Sequence, residues 1–185
     1  MISEAHQKLP DVYFVEGDFH SLPFKDNMFS IVVSSAALQW AHDITQVLDE
    51  IYRVLKPGGE FHLSFFIEGT FEEFYSVFAS AVGINMPPFN FPDQDAVKVW
   101  CSTDCVNLKY FVVDEYTEIY SNFSEMIFSL RNCGVNNSPA VSSKMAFSPR
   151  RFTALDSAYT QHCNMQEGQV YLRYKALFMR GCVLK

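Results

Sequence analysis

Val12-Tyr13-Phe14-Val15, then Glu16-Gly17-Asp18, then Phe19-His20-Ser21-Leu22-Pro23-Phe24, then Phe29-Ser30-Ile31-Val32-Val33-Ser34-Ser35, then Ala36-Ala37-Leu38-Gln39-Trp40: this stretch decides the fold. It holds two short apolar runs rich in β-branched and aromatic residues. Each is too short for a helix and ends in glycine or polar punctuation, so both are expected as buried strands of a parallel sheet. Ligands of open α/β sheets bind outside the carboxyl ends of the strands. Gly17, Asp18 and Phe19 after the first run, and Ser34 to Trp40 after the second, are therefore the candidate site.

Composition narrows the function classes. The chain has 185 residues, about one domain, and 49% of them are hydrophobic, which excludes a disordered protein. The formal net charge is −7 with 14 Lys and Arg, a poor basis for neutralising nucleic-acid phosphates. No apolar run approaches the ~20 residues of a membrane span, and no basic-then-apolar leader opens the sequence. The expectation is a soluble, cytoplasmic protein with no nucleic-acid or membrane partner. The five cysteines, Cys101, Cys105, Cys133, Cys163 and Cys182, lack a second pair at metal-ligand spacing and read as reduced thiols, with no metal expected.

Outward from the opening stretch the order of elements is legible. Ser3 to Leu9 is a short helical pattern stopped by Pro10. Asp43 is placed to cap a helix whose apolar positions Ile44, Val47, Leu48, Ile51, Val54 and Leu55 recur at helical spacing. Lys56-Pro57-Gly58-Gly59 is expected to end it, and Glu60 to Ile67 follows as a strand. Helices are expected over Phe71 to Val82, around Asp95 to Trp100, over Phe123 to Leu130 and from Ser148-Pro149 to about Cys163. Leu108 to Val113 and Tyr116 to Tyr120 read as extended, as two segments or one bent strand, and Tyr171 to Val183 as a last strand.

These residues resemble a known family. Val15-Glu16-Gly17-Asp18, Leu22-Pro23-Phe24, Phe29-Ser30-Ile31-Val32, Leu38-Gln39-Trp40 and Ile51-Tyr52-Arg53-Val54-Leu55-Lys56-Pro57-Gly58-Gly59 are similar, in order and spacing, to the central half of class I S-adenosylmethionine-dependent methyltransferases. Within that superfamily the chain resembles the malonyl-acyl-carrier-protein O-methyltransferases of biotin synthesis, the BioC family. Ala37-Leu38-Gln39-Trp40, Glu68-Gly69-Thr70 and Ser129-Leu130-Arg131-Asn132-Cys133-Gly134-Val135-Asn136 carry that closer similarity.

The resemblance implies S-adenosylmethionine as cofactor, with Asp18 and Phe19 at its adenine edge and Ser34 and Ser35 at its methionine end. A Gly-Asp pair after a strand is also an ordinary turn, and serines also cap strand ends. Methyl transfer to a carboxylate needs no base, because the nucleophile is already ionised. Alignment alone can supply ~7 to 11 kcal/mol of the barrier. Positioning residues are therefore sought: Arg131 as a carboxylate clamp, Gln39 and Trp40 as walls of the acceptor channel. Arg131 equally suits a surface cation at a helix C-terminus. The implied partner is malonyl-acyl-carrier protein, and Lys144, Arg150 and Arg151 are the candidate basic contact for that acidic carrier.

The implied fold is α/β, a Rossmann-like class I methyltransferase fold with a mainly parallel sheet and an antiparallel C-terminal strand. The expected organisation is a single methyltransferase-like domain over 1–185, with residues 1–67 on the cofactor side and 68–185 supplying substrate-side helices and the last strands. The family's opening strand, glycine-rich turn and following acidic strand find no counterpart, so the fold is expected to be incomplete, lacking its first two strands, and the enzyme N-terminally truncated. Two missing charge-assisted hydrogen bonds would weaken cofactor binding by ~10²- to 10⁴-fold. The alternative is a non-catalytic, methyltransferase-like binding or assembly protein.

Overall fold

The computed structural model describes residues 2–82, 91–132, 149–166 and 168–185. In chain order the elements are α1 (Ile2–Lys8), β1 (Phe29–Ser35), a 3-10 turn (Leu38–Trp40), α2 (Ile44–Val54), β2 (Leu55–Phe66), α3 (Glu72–Val82), α4 (Gln94–Cys101), β3 (Val106–Tyr120), α5 (Phe123–Asn132), α6 (Pro149–His162) and β4 (Val170–Val183).

The strands form one sheet in the order β1-β2-β4-β3. β1 and β2 run parallel, as a strand pair joined by a crossover helix must. β4 enters antiparallel between β2 and β3, in register from Glu60↔Cys182 to Phe66↔Ala176 on one side and from Val106↔Val183 to Tyr120↔Val170 on the other. The described sheet is therefore mixed, with one parallel pairing, and not mainly parallel as expected; the antiparallel last strand is as expected.

Val12 to Val15 is a second correction. The segment runs without a ladder and is exposed, Tyr13 to 88%. Its apolar content suits a strand, but backbone extension is stable in a sheet only when a neighbour accepts and donates along it. No strand of the described residues lies beside this one.

Asp43 caps α2 as anticipated, its carboxylate accepting from the Gln46 N–H at 3.1 Å. The helix stops at Leu55, one residue before the Lys56-Pro57-Gly58-Gly59 turn. That turn is absorbed into the start of β2 as an irregularity: the register moves from Phe29↔Leu55 to Ile31↔Glu60, with Gly58 at φ 73°. A left-handed glycine accommodates such a bulge without steric cost.

Burial then alternates along β2. Phe61, Leu63 and Phe65 are buried, packing with Leu48 and Ile51 of α2 and Val97 and Trp100 of α4 in one core. The opposite face carries His62 and Ser64, which pair in register with Arg180 and Phe178 of β4. A second core joins α3, α5 and α6 to the far ends of β3 and β4, centred on Phe78, Phe123, Met126 and Tyr159. No helix among the described residues is long and apolar enough to cross a membrane.

Candidate active site

The loop after Gly17 is built as a cap on itself and then tied to α2. Asp18 Oδ1 accepts from the backbone N–H of His20 at 2.8 Å, and His20 Nδ1 lies 2.8 Å from the same oxygen, which places the ring proton on Nδ1. The carboxyl is held below its ordinary range, first by the backbone hydrogen bond from His20 and then by its ring. Asp18 thus offers one uncommitted oxygen on an exposed carboxylate. Phe19 is partly buried against the main core, its ring 4.7 Å from that of His20.

Three residues at successive turns of α2 fix this loop. Gln46 Nε2 donates to the His20 carbonyl at 2.9 Å, and the Leu22 N–H donates to Glu50 Oε2 at 2.7 Å. Arg53 donates through Nη1 to the Phe24 carbonyl at 2.7 Å and to Asp26 at 2.8 Å, through Nη2 to the Leu22 carbonyl at 3.0 Å, and through Nε to Glu50 at 2.7 Å. One guanidinium fork reads two carbonyls and two carboxylates, which a lysine ammonium could not do. Arg53 and the Leu22-Pro23-Phe24 segment are therefore two halves of one contact.

The other wall begins where β1 ends. Ser34 and Ser35 sit beside Leu63 and Ser64 of β2, and the Ser64 hydroxyl donates to Ser35 Oγ at 3.3 Å. Both serines line a concavity of about 490 Å³ shared with His62 and Tyr110. The chain then turns through Ala36, a non-glycine residue at φ 50°. That conformation costs energy in an L-residue and marks a constrained turn. Gln39, buried, holds it by donating from Nε2 to the Ala36 carbonyl at 2.8 Å. The contact the structure gives Gln39, expected as a wall of the acceptor channel, is thus a turn-fixing one. Trp40 is 48% exposed at the end of the 3-10 turn.

The two walls meet at a pair of imidazoles. His20 and His42 have ring centroids 3.7 Å apart. Two buried polar atoms close to this junction have no hydrogen-bond partner, His20 Nε2 and Gln39 Oε1. Beyond His42 opens a cavity of about 1050 Å³ between Ala41 to Thr45, the Glu68-Gly69-Thr70 turn after β2, and the start of α4. Lys175 of β4 reaches into the same lining. It lies at the carboxyl ends of β1 and β2, where the open-sheet rule puts a ligand.

The other sequence candidates are not brought here by any described contact. Arg131 lies in the last turn of α5, with its side chain outside the described residues, as is Lys144. Arg150 and Arg151 occupy the first turn of α6, Arg150 exposed and Arg151 partly buried. Sequence reasoning passed over Arg53, Glu50, His42 and Lys175. The spacing of Gln46, Glu50 and Arg53, polar residues one turn apart on an otherwise amphipathic helix, was the available signal for the first two; Lys175 had none.

Residues 1–63, which carry the Asp18 loop, β1, α2 and the start of β2, match the methyltransferase domain family. The chain is 28% identical over 166 residues to a malonyl-[acyl-carrier protein] O-methyltransferase of Halorhodospira halophila, 87% of this chain and 54% of that protein. The chain is similar to methyltransferases, malonyl-[acyl-carrier protein] O-methyltransferases among them. It is also 36% identical over 78 residues to a demethylmenaquinone methyltransferase of Renibacterium salmoninarum, 42% of this chain and 33% of that enzyme. A solved structure described as a methyltransferase from Bacillus halodurans superposes with a TM-score of 0.60 at 18% identity, over 100% of this chain and 78% of that one, which establishes the likeness of fold. The chain spans about half the length of the first of these relatives and a third of the second.

Proposed function

We propose that this chain is an S-adenosylmethionine-dependent methyltransferase domain, carrying part of the cofactor site and the acceptor cavity, that acts on the free carboxylate of malonyl-acyl-carrier protein, as its Halorhodospira relative is named for. The observation that carries the reading is the His20–His42 contact, which joins the Asp18 loop to the end of β1 above a ligand-sized cavity. In the BioC reading the first wall serves the cofactor and the cavity serves the acceptor.

The residues suit the cofactor's adenine end. A carboxylate held ionised, with one oxygen free, accepts from an exocyclic amine, and Phe19 offers an apolar ring beside it. Ser34 and Ser35 supply hydroxyls for the methionine end. The cofactor, when bound, supplies an electrophilic methyl. The protein's task is then to hold a carboxylate oxygen in line with it, and no side-chain base is required. Arg131, Gln39 and Trp40 remain the positioning candidates from the sequence.

The test is calorimetry of the purified chain with S-adenosylmethionine, followed by transfer of labelled methyl to malonyl-acyl-carrier protein. Micromolar binding that falls about 10-fold in Asp18→Ala supports the reading. Absence of binding at millimolar cofactor sinks it.

One observation favours a second reading, a non-catalytic methyltransferase-like binding or assembly protein. On β1, an edge strand of the described sheet, Ile31 and Val33 are 57% and 70% exposed. An uncharged apolar edge of this kind is a pairing surface. Failure to bind cofactor together with retained cooperative unfolding would favour this alternative.

A further inference from the structure

We infer that Lys175 is the residue that takes the acceptor's carboxylate in the large cavity, an assignment that rests on the methyl-transfer reading above. Among the described residues lining that cavity, Lys175 is the one lysine or arginine. Its position is fixed from three directions. The Ile67 N–H donates to the Lys175 carbonyl at 3.0 Å, the Thr70 hydroxyl donates to that carbonyl at 3.1 Å, and the Lys175 N–H donates to Thr70 Oγ1 at 3.1 Å. The backbone that carries the lysine is thereby locked to the turn at the end of β2.

The side chain lies over the same turn. Gly69 stands at φ 88°, and a Cβ there would come within 2.8 Å of Lys175 Nζ and 3.0 Å of its Cδ. The ammonium and its stem therefore lie against bare backbone, in space that any other residue at 69 would fill. No hydrogen bond or ion pair reaches Nζ among the described residues. Glu115, opposite Lys175 in the β3–β4 register, is instead 3.5 Å from Arg173.

Five carboxylates line the cavity, and three of them have partners. Asp43 caps α2, Asp93 accepts from the Asp95 N–H at the start of α4, and Asp95 is 3.4 Å from Lys98. Glu68 and Glu72 remain, and they repel any anion not in contact with Lys175. Within this acidic lining Lys175 is the one ammonium that an incoming carboxylate would meet.

This arrangement suits the chemistry. A lysine ammonium is a point charge that contacts one carboxylate oxygen and leaves the other to attack. The new bond joins that oxygen to the methyl carbon, while the sulfur–methyl bond breaks and its electron pair returns to sulfur, leaving a neutral thioether. The product ester has lost the charge that Lys175 held, so release follows from the same contact.

The experiment titrates the chain with malonyl-pantetheine and, in parallel, acetyl-pantetheine, by calorimetry, on wild type, Lys175→Met and the shape-matched Lys175→Gln. Loss of about 10- to 100-fold in malonyl affinity in both variants, with acetyl affinity and thermal transition unchanged, is the expected result. Equal malonyl affinity in wild type and variants overturns the assignment, as does a wild type that binds neither thioester. Methyl transfer is scored separately. Lys175-dependent malonyl binding without methyl transfer would sink the enzymatic reading and leave this one standing; transfer with an unchanged KM in Lys175→Met would do the reverse.

Discussion

Arg53 Nη1 lies 2.7 Å from the carbonyl oxygen of Phe24, and its second terminal nitrogen lies 3.0 Å from that of Leu22. The helix α2 thereby holds the loop that follows Asp18. The guanidinium is also paired with Glu50 and Asp26, which keep its charge satisfied while it is two-thirds buried. Arg53→Met should destabilise the chain by about 2 kcal/mol, since it leaves two carbonyls and a largely buried carboxylate without their donor. Arg53→Lys should recover less than half of that, because a single ammonium cannot span the fork. Urea unfolding at pH 7 measures both; a lysine variant equal to wild type would show that charge, not geometry, holds the loop.

Glu50 makes this contact sensitive to acid. Its carboxyl is held below the ordinary value of 4.5, chiefly by the hydrogen bond from Arg53, which outweighs the opposing effect of burial, with the Leu22 N–H adding a smaller push in the same direction. A depressed folded pKa means that the unfolded chain binds the proton more readily. The stabilisation is therefore complete above about pH 4.5 and is lost as pH falls through the lower folded value. In Glu50→Gln the unfolding free energy should be lower than wild type at pH 7, by about 1 kcal/mol. The two should converge as pH is lowered toward 3. Parallel curves across that range would remove Glu50 from the acid response.

Much of this was legible in the sequence, and the reasons divide by range. Asp43 as a cap, Ile44 to Leu55 as an amphipathic helix and Pro149 as a helix start are local statements, settled by side chains within a turn of one another. The end of β1 is proposed as one wall of the site on the same short-range reading. Val12 to Val15 misled because composition reports a strand's suitability, while a strand's existence depends on a neighbour elsewhere in the chain. The insertion of β4 between β2 and β3, which makes the sheet mixed, is likewise non-local. Lys175 was invisible for that reason: it faces a turn 105 positions earlier, and nothing beside it in sequence distinguishes it from a solvated lysine on a strand.

Gly181 tests the central strand of that insertion. A Cβ added there would meet Phe61 Cζ at 2.6 Å and the Asn107 carbonyl oxygen at 2.8 Å. One contact is a fully buried aromatic ring of β2 and the other is backbone of β3, so neither side has room to give. Gly181→Ala should cost about 2 to 3 kcal/mol by overpacking, despite the better strand propensity of alanine. Pairing it with Phe61→Leu, which vacates the ring edge, should recover part of the loss in a double-mutant cycle. Strict additivity of the two changes would mean that the ring is not the obstacle.

Lys185 makes the last connection, between β4 and the end of α2. Its ammonium donates to the carbonyls of Leu55 at 2.6 Å and Arg53 at 3.0 Å and to Asn27 Oδ1 at 2.9 Å, and it stands 4.6 Å from the centre of the Tyr52 ring. The last carbonyls of a helix have no partner within it and carry the negative end of its dipole, so a cation there satisfies both needs. Partial burial holds the ammonium below its ordinary pKa, which sets the sign of the pH effect: the unfolded chain keeps the proton to higher pH. Lys185→Met, which keeps the apolar stem, should lower stability by about 1 kcal/mol at pH 7 through the loss of those hydrogen bonds. Because Arg53 sits in the same turn, the change should also loosen the Leu22-to-Asp26 loop. Hydrogen exchange at the Leu22 amide, protected by Glu50 in the wild type, would then quicken. An unchanged exchange rate in a variant that has lost the stability would show that the two ends of the Arg53 contact are independent.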